Sequence, residues 1–205
     1  MDAVELKQND PSSNSETSPK LIQNSASGNS SAATTPATGR PLPIDRGDLG
    51  IRITREGTWY YRGSPIGRLS LVKLFASVLR READGRYWLV TPAERGRVEV
   101  EDVPFLAVAL TFEGEGADQQ LIFRTNLDEF VTAGPENPLR VETAANGEPA
   151  PYILVRGGLE ARLARAVFYE LVDLGTERHL GTRTQFGVWS KGAFFSLGEP
   201  TPDWG

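Results

Sequence analysis

Three arginines and a tyrosine are spaced to meet an anion. Arg156 stands before Gly157 and Gly158, Arg162 and Arg165 lie three residues apart, and Tyr169 follows four beyond Arg165. A guanidinium offers a planar fork of donors that matches carboxylate or phosphate. Read as a helix entry, the glycine pair exposes unpaired N–H groups at a helix N-terminus, which is a ready anion site. On that helix Arg162 and Arg165 lie one turn apart and Tyr169 faces Arg165. The same arginines also suit ion pairs with Glu160, Glu170 or more distant carboxylates, and the residue types leave both readings open.

Other chemistry finds few parts. The chain has no phosphate-binding P-loop, no full dinucleotide fingerprint and no nucleophile elbow. It has no cysteine, which excludes disulfides and thiolate chemistry. The single histidine, His179, sits in the polar stretch Thr176–His179 and reads as an exposed loop residue, and one histidine cannot build a multi-histidine metal site. Glu99 and Glu101 share one face of a strand, and Asp128 adjoins Glu129, but neither pair has a spacing that distinguishes Mg²⁺ or glycosidase chemistry from a solvated face. The tripeptide Arg46-Gly47-Asp48 and the sequon at Asn29 read as coincidences. No catalytic residue, metal or cofactor is assigned.

The net charge of −5 argues against a broad basic face for long nucleic acid. From residue 45 onward there are seventeen Arg and two Lys, a bias that base composition of the genome also explains. The N-terminus lacks the basic and apolar regions of a secretory signal, and no apolar run is long enough to span a bilayer. The expectation is a soluble, cytoplasmic protein with no membrane partner and an unknown protein partner.

Organisation follows from composition. Residues 1–44 are rich in Ser, Asn, Thr and Pro and bury too little to offset the entropy of ordering, so a disordered tail is expected there. Residues 51–61 read as a hairpin around Glu56-Gly57. Ser64 and Pro65 read as N-cap and first turn of a helix that carries Leu69, Val72, Phe75, Ala76 and Leu79 on one face. Strands are expected over 86–91, 97–101, 106–113, 120–125, 130–132, 139–142 and 152–155. A second helix is expected after Arg156-Gly157-Gly158, with Leu159, Leu163, Ala166, Val167, Leu171 and Leu174 as its stripe. Thr176 onward reads as a polar loop, and Phe186–Leu197 as a hairpin turning at Lys191-Gly192.

At an offset of 94, Arg62, Gly63, Arg68 and Leu69 match Arg156, Gly157, Arg162 and Leu163. This predicts an α+β fold with a duplicated helix-plus-antiparallel-sheet core: an N-terminal lobe over 45–100 and a C-terminal lobe over 101–205.

Six ordered blocks carry a resemblance. Trp59–Arg68, Tyr87–Glu94, Val100–Leu106, Phe123–Asn126, Pro151–Arg162 and Gly187–Phe195 resemble domain-of-unknown-function family 1285 (DUF1285), a family of uncharacterised bacterial proteins. The resemblance spans about 47–198, with Lys191 where the family pattern has a small residue. It implies a duplicated α+β core, a C-terminal lobe superficially like a pleckstrin-homology domain, no established activity, and a nucleotide-like ligand between lobes in bacterial signalling. On that basis Arg156, Arg162 and Arg165 are expected to hold phosphate, Tyr169 or Trp189 to stack on a base, and Asn126 and Arg124 to supply polar contacts. The expected function is non-catalytic: binding of a small anionic or nucleotide-like ligand in a regulatory role. The alternatives are a protein–protein interaction module and, less favoured, a carboxylate or Mg²⁺-dependent enzyme.

Overall fold

The structure, a computed structural model, describes residues 42–181 and 183–198. The tail expected over 1–44 lies outside these residues except at its end, where the first strand already begins at Ile44. The described residues belong to one compact unit.

The first sheet contains β1 (Ile44–Ile53), β2 (Trp59–Tyr61), β3 (Ser64–Pro65), β4 (Leu79–Arg81), β5 (Tyr87–Val90) and β6 (Glu94–Val100), in the order β3-β2-β1-β6-β5-β4. Helix α1 (Leu69–Ser77) lies between its third and fourth strands. The second sheet contains β7 (Phe105–Glu113), β8 (Gln120–Thr125), β9 (Phe130–Thr132), β10 (Leu139–Thr143), β11 (Pro149–Arg156) and β12 (Leu159–Leu163), in the order β10-β11-β12-β7-β8-β9. Helix α2 (Arg165–Asp173) follows its last strand. A third sheet holds β13 (Thr176–Leu180), β14 (Arg183–Ser190) and β15 (Ala193–Gly198).

This corrects the expected α+β fold. Among the described residues the architecture is mostly β, with three sheets and two α-helices of nine residues each. The sheets are not wholly antiparallel, because β1 runs parallel to β6 and β7 parallel to β12 at the centre of each six-stranded sheet. That parallel pair also departs from the antiparallel, pleckstrin-homology-like C-terminal lobe implied above.

What recurs is strand order, not a helix unit. Shifting each strand number of the first sheet by six gives the order of the second. The offset of 94 therefore matches positions that are not equivalent. Arg62-Gly63 is the β2–β3 turn, whereas Gly157-Gly158 is the β11–β12 turn.

Both predicted helix entries are two-residue hairpin turns. Arg62 and Gly63 have φ of 49° and 83°, and Gly157 and Gly158 have 52° and 76°. Positive φ at both central residues is the requirement of a type I′ turn, whose twist suits the flanking strands. The segment after the second turn alternates: Leu159, Ala161 and Leu163 are buried while Glu160 and Arg162 are half-buried. Leu159 and Leu163 are four apart, a spacing shared by one helical turn and by two strand repeats, and the strand wins here.

One apolar cluster joins all three sheets and both helices, from Ile53, Trp59 and Ala76 through Phe105, Phe123 and Ile153 to Leu171, Val188 and Phe195. Buried Ser190 tethers the third sheet to the second: its Oγ donates to the Ala133 carbonyl at 2.7 Å and accepts from the Leu121 N–H at 3.0 Å. No helix among the described residues is long and apolar enough to cross a membrane.

Candidate ligand site

The three arginines singled out by sequence face different partners. Arg156, at the end of β11, donates from Nε and Nη2 to both oxygens of Glu129 at 2.9 and 3.1 Å, and from Nη2 to the Ala76 carbonyl at 2.9 Å. Ala76 lies in the last turn of α1, where the negative end of the helix dipole attracts cations, and its carbonyl also accepts a backbone N–H at the cap. Arg80 donates to the Ser77 and Leu79 carbonyls beside it. The cleft between the two six-stranded sheets, about 490 Å³ and bordered by Lys73, Arg80, Arg156 and Glu129, is thus lined by guanidiniums that cap a helix end. Lys73 is itself paired with Asp128 at 2.8 Å. The glycine pair supplies no helix N-terminus, since α2 begins at Arg165.

Arg162, on β12, donates from Nη1 to Asp102 Oδ2 at 2.9 Å. Asp102 also accepts from the Tyr152 hydroxyl at 3.0 Å. Burial, then the Asp102 charge and hydrogen bond, push the Tyr152 hydroxyl above its ordinary range. Arg162 is thereby spent on the connection between the first two sheets.

Arg165 differs. Its Nε donates to the Tyr169 hydroxyl at 2.8 Å, across one turn of α2, and its guanidinium lies 5.6 Å from that ring. The hydrogen bond to Tyr169 and, after it, the negative charge of nearby Glu148 raise the Arg165 guanidinium above its ordinary value. Among the described residues no carboxylate lies within ion-pairing distance of it.

Arg165 and Tyr169 border a cleft of about 370 Å³ formed by β11, β12, α2, the middle of β14 and the end of β15. Its lining is largely apolar, with Leu163, Phe168, Val172, Phe186 and Leu197, and also includes Glu148 and Arg162. The helix presents Phe168 and Val172 to the cleft because they lie four apart, flanking the Val167 and Leu171 stripe that enters the core. Phe186 is pinned against Gly175, where a Cβ would meet its ring at 2.1 Å. Of the residues expected to form a site, the structure brings together Arg162, Arg165 and Tyr169.

The other expected site residues stand elsewhere. Asn126 is a brace: its Oδ1 accepts from the Leu106 N–H at 3.1 Å and its Nδ2 donates to the Gly57 carbonyl at 3.0 Å. Arg124 pairs with Asp128 at 3.2 Å. Trp189 packs edge-on to Phe194 at 5.3 Å, with Arg178 at 5.3 Å over its ring. His179, on β13, has its Nδ1 3.0 Å from Thr184 Oγ1. No group of three acidic or histidine side chains among the described residues is placed to hold a metal. Sequence reading missed Glu148, Pro149 and Phe186 as cleft residues. Their approach to α2 is tertiary, and no local signal marks it.

Comparison with known proteins gives the family. Residues 40–103 match the model described as the N-terminal domain of DUF1285, a domain of unknown function, and residues 104–197 match its C-terminal domain. The crystal structure of a DUF1285 family protein from Silicibacter pomeroyi DSS-3 is 45% identical with a TM-score of 0.71, over 77% of this chain and 84% of that one. A DUF1285 family protein from Shewanella baltica OS155 is 29% identical with a TM-score of 0.48, over 61% of this chain and 91% of that one. No curated protein matches the chain. Both halves of the described structure thus fall under the two models of one family, and the chain belongs to DUF1285.

Proposed function

We propose that this DUF1285 protein is a non-catalytic ligand-binding protein with a regulatory role, and that its ligand is a small anion seated in the cleft against α2. The observation that carries the reading is Arg165, a guanidinium held by Tyr169 at the mouth of an apolar cleft and free of a carboxylate partner among the described residues. A cleft of about 370 Å³ lies in the range of small-molecule sites, which combine apolar walls with a few placed polar groups. A nucleotide-like ligand is one class with an anionic end and a flat body that a tyrosine can stack. The cleft between the sheets suits it less, because Arg156 and Lys73 are already paired there.

Isothermal titration of the full chain against AMP, cyclic AMP and aromatic and aliphatic carboxylates tests the reading. At least one anion is expected to bind, and Arg165→Ala is expected to weaken it by about 10- to 100-fold, the worth of one charge-assisted hydrogen-bonding group. Absence of binding across the panel, or binding indifferent to Arg165, would remove the cleft from consideration.

The second reading is a protein-interaction module. It is favoured by Phe130, which is 70% exposed on β9, the outer strand of the second sheet. An edge strand with an exposed aromatic side chain offers both backbone pairing and an anchor. Phe130→Lys should abolish any partner captured through this edge while leaving the melting temperature unchanged.

A further inference from the structure

We infer that the cleft against α2 takes a monocarboxylate with a hydrocarbon body. This rests on the reading that the cleft is a ligand site, and it narrows that site in charge and in polarity.

The charge at the rim is small. Arg162 is neutralised by Asp102 at 2.9 Å, which leaves Arg165 as the cation without an ion-pair partner among the described residues bordering the cleft. Glu148 also lines the cleft, beyond ion-pairing distance of Arg165 but close enough for their charges to interact, so little surplus positive charge is left for a ligand with more than one negative charge. A di- or triphosphate brings more charge than one guanidinium answers, and even a phosphate monoester is close to doubly charged at neutral pH. A carboxylate brings one charge. The geometry of Arg165 favours it too. Nε is committed to Tyr169, so the outer edge, with its two terminal nitrogens, is the part left to grip two oxygens side by side.

The walls set the polarity. Leu163, Phe168, Val172, Phe186 and Leu197 offer no side-chain donor or acceptor. Sugar hydroxyls or a base edge pressed against them would lose water without gaining a partner. A hydrocarbon body loses nothing there and is driven in by burial of apolar surface.

The experiment titrates the full chain, and an Arg165→Met variant, with naphthalene-2-carboxylate, decanoate, naphthalene-2-methanol and AMP. Arg165 is at the protein surface, and circular dichroism checks that the variant folds. Both carboxylates, or the one whose shape fits, should bind about 10- to 100-fold tighter than the neutral alcohol, and Arg165→Met should reduce that advantage to nearly nothing. If AMP binds as tightly as the carboxylates, the ligand class is wrong while the cleft remains a site. If alcohol and carboxylate bind alike, or Arg165→Met changes nothing, the charge argument is overturned. If no probe binds, the cleft reading fails as well.

Discussion

Arg156 grips both oxygens of Glu129 and, with the same guanidinium, the carbonyl of Ala76 eighty residues earlier in the chain. One side chain thereby fastens the β8–β9 turn and the C-terminal end of α1 together. Replacing it with alanine leaves the Glu129 carboxylate without this partner and takes one of its hydrogen bonds from the Ala76 carbonyl. Arg156→Ala is expected to destabilise the fold by about 1–3 kcal/mol. Arg156→Lys should recover only part of this, because an ammonium cannot span both oxygens and the carbonyl in one plane. Urea melts read both variants, and binding in the cleft against α2 should be unaffected by either.

Ser190 offers a sharper case. Its hydroxyl is fully buried and is both donor to Ala133 and acceptor from Leu121. Ser190→Ala removes two partners and leaves a carbonyl and an N–H without bonds. A loss of about 1–3 kcal/mol is expected in chemical denaturation. Ser190→Thr, which keeps the hydroxyl but adds a methyl to a filled core, should also destabilise, through overpacking.

Lys191 holds φ of 47° in the β14–β15 turn. A left-handed backbone costs most residues, and asparagine tolerates it well. Lys191→Asn is therefore expected to stabilise by about 1 kcal/mol, seen as a rise in the thermal midpoint.

Alkaline pH should weaken the fold. Burial pushes the Tyr87 hydroxyl above its ordinary range, and burial together with Asp102 does the same at Tyr152. A raised folded-state value means the neutral phenol is favoured in the folded state. Its stabilising contribution is complete below the unfolded value of about 10 and is lost as pH rises through the higher folded value. Tyr87→Phe should flatten the decline in stability above that pH, measured by denaturation at fixed temperature.

How far the fold could be read from sequence depended on how local each signal was. The 51–61 hairpin, the β7–β8 hairpin and the turn at Lys191-Gly192 carry their own turn chemistry, and each forms. Arg62-Gly63 carries the same chemistry as Lys191-Gly192, but the Ser64-Pro65 that follows it also has the residue types of a helix start. Leu159–Leu163 is ambiguous by spacing alone. The polar strand β13, Thr176–Leu180, has no apolar alternation and exists through its pairing with β14. At the candidate site, sequence marked the arginines but could not sort them. What separates Arg165 from Arg156 and Arg162 is the position of Glu129 and Asp102, set by pairings far along the chain.

The central parallel pairs also bear on how the molecule reaches this state. Ile51 meets Val98 and Ala107 meets Leu163, so each six-stranded sheet is completed only when strands about fifty residues apart come together. The flanking hairpins close over short loops and can form on the microsecond scale, whereas the central seams carry the entropy of long-loop closure. Folding kinetics should therefore be slow for a chain of this size and governed by the two seams. Substitutions in the outer hairpins should mainly change the rate of unfolding.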